Sequence, residues 1–342
     1  MAVMRVVKKV FVYYTGGTIG LIDDGDAHLR QGSVQDVRQF IINHIQLHQE
    51  PAVREDLIQL HQKAVDDYFV EEWNDDSCKY SILFKLETVE APVDSTEMSP
   101  DHWFEMAQRI QKEKSRYDGF VILHGTNTMA YTSSALSFIL MDLKKPVILT
   151  GGQRSLFHPR SNAMDNLIGA LVMAGCLSGE EKKKEIFQQV MLFDNNKLFQ
   201  GNRVCKFDCQ SFHVFDCPNA KPLAYMDPIM RVPAHTPVCV KDRIEAKSCP
   251  GETPDVRILR LFPGIQEKYV RSVLEGAAGV ILESFGPGDI PGYDWLRKAL
   301  NEAKNRKVVM LNCTQVYRGS VRSNYESSLN ASLRVGFYED EV

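Results

Sequence analysis

The chain lacks the features that would mark it for a specialised environment. No apolar run approaches the roughly 18–20 residues that a membrane span needs, so no membrane association is expected. Forty Lys+Arg against forty-four Asp+Glu leave a formal net charge of −4. That excludes a whole-chain basic field, and no nucleic-acid partner is expected. No Gly-Lys-Ser/Thr follows the first glycine-rich loop, which rules out a phosphate-binding P-loop, and its glycine spacing fails the dinucleotide fingerprint. The start, Met1 to Tyr14, is basic and then apolar. Its apolar part from Val10 is too short for a signal peptide, and it reads as a first β-strand. Eight cysteines in 342 residues, without an export signal, point to reduced thiols and a cytoplasmic location. Cys205, Cys209 and Cys217, with His213 between them, do not match a zinc knuckle or ribbon, and no metal is expected.

What is present is ordinary globular composition. With 44% hydrophobic, 25% charged and 9% aromatic residues, disorder, collagen and a pure coiled coil are excluded. Short apolar runs alternate with amphipathic helical patterns, as α/β architecture requires. Strands are expected at Val7–Tyr14, Tyr80–Leu86, Gly119–Leu123, Pro146–Thr150 and Ile186–Phe193. Helices are expected at Val37–Leu47, after Ser99-Pro100, at Met129–Leu140 and from Ser161 through Leu171. Within the third of these, Met129 and Phe138 read as helix core. The stretch from Gln49 to Ser77 is polar, with no assignable pattern over most of its length. Prolines at 218, 222, 228, 233, 237, 250 and 254 mark a connection carrying a strand or two. A second unit follows: strands at Val256–Phe262, Gly279–Leu282 and Val308–Leu311, helices at Ile265–Leu274 and Tyr293–Ala303. The expected fold is α/β: a large N-terminal parallel-sheet domain with helices on both faces (1–216), a connection (217–253) and a smaller C-terminal α/β domain (254–342).

In open parallel sheets, ligands bind beyond the carboxyl ends of the strands. Two segments place hydroxyls there: Thr15-Gly16-Gly17-Thr18-Ile19-Gly20, and His124-Gly125-Thr126-Asn127-Thr128-Met129. Glycines let the backbone turn sharply and bring bare N–H groups to a ligand. Two threonines, with a basic group to lower a hydroxyl pKa, make a nucleophilic amide-cleaving site. Each segment also has a plain reading, a structural turn for the first and a helix N-cap at Thr126 for the second. His124 reads as a packed core histidine rather than a proton shuttle.

Taken together the segments resemble the bacterial-type L-asparaginase family, in particular its cytoplasmic (type I) branch. Tyr14 to Gly20 matches one family signature, and Gly119 through Thr132 matches the other. Asp94-Ser95-Thr96-Glu97-Met98, Lys145 to Gly151, Arg160-Ser161, Gln200-Gly201-Asn202-Arg203 and Lys206 continue the likeness. The resemblance implies hydrolysis of L-asparagine to L-aspartate and ammonia without a cofactor. Thr15 would attack the amide, Thr126 would handle the water, and Lys206 would favour the Thr126 alkoxide. Backbone N–H groups near Gly16 and Thr126 would hold the oxyanion, with Gly125 among the binding positions. Ser95, beside Asp94 and Thr96, would hold the substrate α-carboxylate. It also implies a homodimer or a dimer of dimers.

The pattern breaks at several positions. Asn127 and Asn162 stand where the family has Asp, and Asp289 in Gly286-Pro287-Gly288-Asp289 stands where it has Asn. Asp289 is therefore expected to supply the negative charge for the substrate α-ammonium that Asn127 lacks. Cys205 replaces a threonine beside Lys206, which puts effector control in doubt. Asn324 and Ser328 replace glycines around Tyr325, and the chain ends at Val342, so a trimmed small domain is expected. Two other readings stand beside catalysis: a catalytically weakened homologue that binds an amino acid or partner, and an ammonia-releasing subunit of a tRNA-dependent amidotransferase.

Overall fold

A computed structural model describes residues 4–23, 29–47, 69–74, 78–179, 182–233, 253–322 and 337–339. The chain forms two compact units, Met1–Ser248 and Cys249–Val342.

In chain order the strands of the first unit are β1 (Met4–Tyr14), β2 (Leu21–Asp23), β3 (Leu29–Gln31), β4 (Phe69–Asn74), β5 (Cys78–Thr88), β6 (Gly119–Leu123), β7 (Val147–Thr150), β8 (Val190–Asp194), β9 (Lys197–Gln200), β10 (Cys205–Lys206), β11 (Phe215–Asp216), β12 (Ala224–Met226) and β13 (Met230–Arg231). Its helices are α1 (Val34–Leu47), α2 (Pro100–Glu113), α3 (Met129–Ile139) and α4 (Ala163–Cys176). A nine-stranded sheet runs β13-β12-β9-β8-β7-β6-β1-β5-β4. Its centre, β5-β1-β6-β7-β8, is parallel. Both edges are antiparallel, through β4 on one side and β9, β12 and β13 on the other. The β8–β9 reversal is a two-residue turn with Asn195 at φ 45° and Asn196 at φ 64°, the primed geometry that asparagine tolerates.

Strand alternation divides the core. Val10, Val12 and Tyr14 of β1 join one cluster with Val37 and Ile41 of α1 and nearly all of α4. Phe11 and Tyr13 join the other with Met106, Ala107 and Ile110 of α2 and Met129 and Leu136 of α3. Helices therefore cover both faces, and β6, β7 and β8 are buried throughout.

Some boundaries and placements differ from the sequence reading. β8 starts at Val190, because Ile186 and Phe187 close a 3-10 helix, Lys182–Phe187, whose end is buried without pairing. An apolar run marks burial, not strand. α4 continues past Leu171 to Cys176. Phe138 is 52% exposed rather than core; it lies two residues from the buried Leu136, on the opposite side of α3. In the Gln49–Ser77 stretch, Phe69–Asn74 forms the antiparallel edge strand; residues 49–68 and 75–77 lie outside the described residues, as do Asn324 and Ser328.

The second unit carries β14 (Val256–Arg260), α5 (Glu267–Leu274), β15 (Gly279–Ser284), α6 (Asp294–Asn305), β16 (Val309–Thr314) and β17 (Phe337–Glu339). These strands form a parallel sheet in sequence order. Leu259, Val280, Leu282 and Met310 pack against Val270 and Leu274 of α5 and Leu296 and Leu300 of α6. Among the described residues, no helix is long and apolar enough to cross a membrane.

Candidate active site

Four neighbouring parallel strands of the first unit release their chains at one edge. β1 runs into Thr15-Gly16-Gly17, β5 leads to Asp94-Ser95-Thr96, β6 runs into His124-Gly125-Thr126, and β7 into Gly151-Gly152-Gln153. Gly16 and Gly17 adopt φ 108° and 83°, and no side chain would fit at either. A Cβ on Gly16 would stand 2.4 Å from the Val93 carbonyl oxygen, one on Gly17 2.3 Å from the Gly125 Cα, and one on Gly125 2.5 Å from the Ser95 Oγ. The loops thus meet backbone to backbone, which brings Thr15, Ser95 and Thr126 to a single edge. Thr128 tightens the contact by donating its hydroxyl to the Ser95 carbonyl at 2.5 Å.

Lys206 comes from the other side, on β10, which pairs with β11 through Lys206 and Phe215. Its Nζ donates to the Thr126 Oγ1 at 3.0 Å and to the Asn127 Oδ1 at 2.8 Å. Burial lowers the Lys206 pKa from its ordinary value, since the charged form is disfavoured away from water. Thr126 itself is 5% exposed. Its Oγ1 lies 3.5 Å from the Gln153 Oε1, the outer limit of a hydrogen bond. Gln153 is anchored in turn, donating Nε2 to the Cys209 carbonyl.

Thr15 is fully buried. Its hydroxyl and its N–H both donate to the Leu123 carbonyl, at 2.9 and 3.0 Å. It lines a hollow of about 310 Å³ with Val93, His102 and Glu105. Lys206 and Asn127 line a different one of about 610 Å³ with Tyr131, Phe207 and Cys209. The structure therefore joins Thr126, Asn127 and Lys206 directly, and holds Thr15 beside them through the β6 backbone rather than against the lysine.

His124 is fully buried and pushed down to about 4 by desolvation, so it is neutral. Its Nδ1 lies 2.7 Å from the Gly125 carbonyl, which can only accept, so Nδ1 carries the proton. Nε2 then accepts from Thr132, whose oxygen accepts the Trp103 indole N–H. This one-way chain pins the Gly125 carbonyl. In a trans peptide the Thr126 N–H points the opposite way, and no described residue accepts from it.

The remaining candidates have defined places. Asp94 is exposed and accepts from the Thr96 N–H at 2.8 Å and hydroxyl at 2.7 Å, so its carboxylate shapes the turn that presents Ser95. Asn162 accepts from the Gln153 N–H at 3.2 Å, while its Nδ2 is buried without a partner. Asp289 lies in the second unit, where the Phe285 N–H donates to its carbonyl at the carboxyl end of β15. Cys205 and Cys217 are free thiols raised by burial, the second to about 11. Among the described residues no group of three or more His, Cys, Asp or Glu could hold a metal ion. Gln153 and the buried pair Asn166 and Asp194 escaped the sequence reading, and Thr128 was read within its motif but given no role. Only Gln153 carried a usable signal, standing just past a strand end behind two glycines.

Comparison with known proteins shows the family. A family model described as asparaginase, N-terminal, matches residues 9–236, and one for the glutaminase/asparaginase C-terminal domain matches 255–339. The 60 kDa lysophospholipase of Mus musculus is 33% identical over 325 residues, covering 94% of this chain; the chain spans only 54% of that relative. L-asparaginase 1 of Escherichia coli K12 is 33% identical over 331 residues, 96% of this chain and 86% of the relative. A crystal structure of L-asparaginase I from Vibrio cholerae superposes with TM-score 0.73 at 30% identity, covering 98% and 89% of the two chains.

Proposed function

The chain belongs to the asparaginase family, and from that premise we propose that it is an L-asparagine amidohydrolase using threonine hydroxyls. The observation that carries the reading is the Lys206 ammonium donating to the Thr126 hydroxyl at 3.0 Å, one strand away from the buried Thr15. The Thr15 Oγ adds to the side-chain amide carbon, and ammonia leaves with the hydroxyl proton. The aspartyl ester is then opened by a water that Thr126 activates. Lys206, donating to the Thr126 hydroxyl, favours its alkoxide during that step. The oxyanion of each step falls to the Gly16 and Thr126 N–H groups, and a single such donor is worth about 10²- to 10³-fold in rate. Ser95 and Thr96 take the α-carboxylate.

Asn127 cannot neutralise the substrate α-ammonium, and its carbonyl is already held by Lys206. We assign the counter-charge to Asp289 by residue type. The same observation favours a second reading, an amino-acid-binding homologue with little turnover. Ammonia release from L-asparagine, L-glutamine and D-asparagine decides between them. Turnover of L-asparagine supports the first reading; binding by calorimetry without ammonia supports the second. A homodimer or dimer of dimers accompanies the first reading, and light scattering tests it.

A further inference from the structure

Asp194, the last residue of β8, is 5% exposed, and its two oxygens face different parts of the site. Oδ2 accepts the Val214 N–H at 3.1 Å, and Oδ1 accepts from the Asn166 Nδ2 at 3.2 Å. Val214 is the hub of the lysine hairpin. Its carbonyl accepts the N–H groups of Phe207 and Asp208, at 2.8 and 3.2 Å, the two residues that follow Lys206. Asn166, from α4, donates to the Gly151 carbonyl at 2.9 Å and accepts the Asn195 N–H at 3.1 Å. Gly151 packs so tightly on the threonine loop that a Cβ there would lie 2.3 Å from the His124 carbonyl oxygen. One buried carboxylate therefore ties the hairpin carrying Lys206 to the strand-end loops around Thr126.

We propose that Asp194 is a positioning residue: ionised, it clamps the Val214 turn and so sets the distance between Lys206 and Thr126. The inference rests on the reading of Lys206 and Thr126 as catalytic partners. Stability does not explain the residue. Desolvation raises its pKa to about 6, so the fold disfavours the charge that the N–H groups require. Perturbed ionisable groups of this kind concentrate at functional sites. The other groups facing it are His213 on the hairpin, whose charge favours ionisation, and Lys197, its register partner on β9. α4 presents the neutral Asn166. When Asp194 takes up a proton, one oxygen becomes a donor pointing at N–H groups, and the clamp loosens.

The test is Asp194→Asn, read by steady-state kinetics and by amide hydrogen exchange of residues 205–216. The expected result at neutral pH is a fall in kcat of about 10-fold with KM within about twofold. Faster exchange of the Val214 N–H should accompany it. In the wild type, kcat should fall on acidification with an apparent pKa near the value of about 6 given above, and the variant should lose that limb. His213→Gln, on the exposed surface, should move the wild-type limb upward, because the electrostatic support of His213 for the ionised carboxylate is lost. An Asp194→Asn enzyme with the wild-type limb and unchanged hairpin exchange would overturn the proposal. So would a limb that vanishes in His213→Gln, since the titrating group would then be the histidine. Should the asparagine variant not fold, the His213→Gln profile still decides. Should the wild type release no ammonia, the proposed activity fails, and hairpin exchange alone still tests the clamp.

Discussion

Thr126 and Thr15 stand at neighbouring strand ends, yet their hydroxyls meet opposite partners. Thr126 lies under an ammonium at 3.0 Å. Thr15 donates to a carbonyl at 2.9 Å. An adjacent cation stabilises an alkoxide, whereas a carbonyl only holds the proton and fixes the rotamer. The loops differ in their support as well. Beneath Thr126 lies the neutral His124 chain; Thr15 rests on two glycines pressed against the next loops. The contrast teaches that neighbouring strand ends can set one hydroxyl beneath a cation and fix the other on a backbone acceptor.

The strongest way to break this contrast is to delete each hydroxyl. Thr15→Ala and Thr126→Ala should each reduce ammonia release by at least about 10³-fold. Trapped aspartyl ester, sought by mass spectrometry, should appear on Thr15 only. An ester on Thr126 would reverse the assigned roles. Next in size is Lys206→Met, for which kcat should drop about 10²- to 10³-fold. Substrate binding measured by calorimetry should hardly change, since the Thr15 and Ser95 loops do not touch the lysine.

Asn127→Asp should have a smaller effect and sharpens the comparison. A carboxylate so near the Lys206 Nζ raises the lysine pKa. The added carboxylate offsets the support that the ammonium gives the Thr126 alkoxide, and neutral-pH kcat should be lower by about 3- to 10-fold. Under the proposed assignment of the counter-charge to Asp289, KM should improve only modestly; a gain of several hundredfold would sink that assignment.

The smallest effect concerns stability. His124 falls from 6.5 unfolded to about 4 folded. Between those values the unfolded chain binds more protons, so stability is lost as pH drops through the window, about 3 kcal/mol in full. Asp194, raised from 3.8 to about 6, works the other way. Its folded form binds the proton first, and stability rises as pH falls through its own window. The wild type should be nearly flat between these limits in urea titrations. Asp194→Asn should unmask the histidine loss.

Legibility followed periodicity and strand ends. β1 was readable because Val10, Val12 and Tyr14 alternate with Phe11 and Tyr13, and the two sets do enter different cores. α2 announced itself through Ser99-Pro100 and the spacing of Met106, Ala107 and Ile110. α4, buried almost all round, has no polar stripe to mark its end, so its last turn was missed. The antiparallel edge strands β4 and β9 were not assigned, whereas β12 and β13, two or three residues long and set among prolines, fall in the connection read as carrying a strand or two. At the site, Thr15, Thr126 and Lys206 were legible as motif residues. That Lys206 also binds Asn127, and that Asp194 governs its hairpin, depends on chain segments meeting across 79 and 20 residues of sequence. No local pattern carries such meetings.

The contact between Gly17 and Gly125 has one more consequence. Because main chain abuts main chain there, the gauge between the two threonine loops is independent of the residues lining the crevice. Mutational drift, or a protein engineer, can recut the walls of the crevice for a new ligand without resetting that gauge. By the same token, neither loop can be transplanted into another scaffold unless its glycine counterpart travels with it.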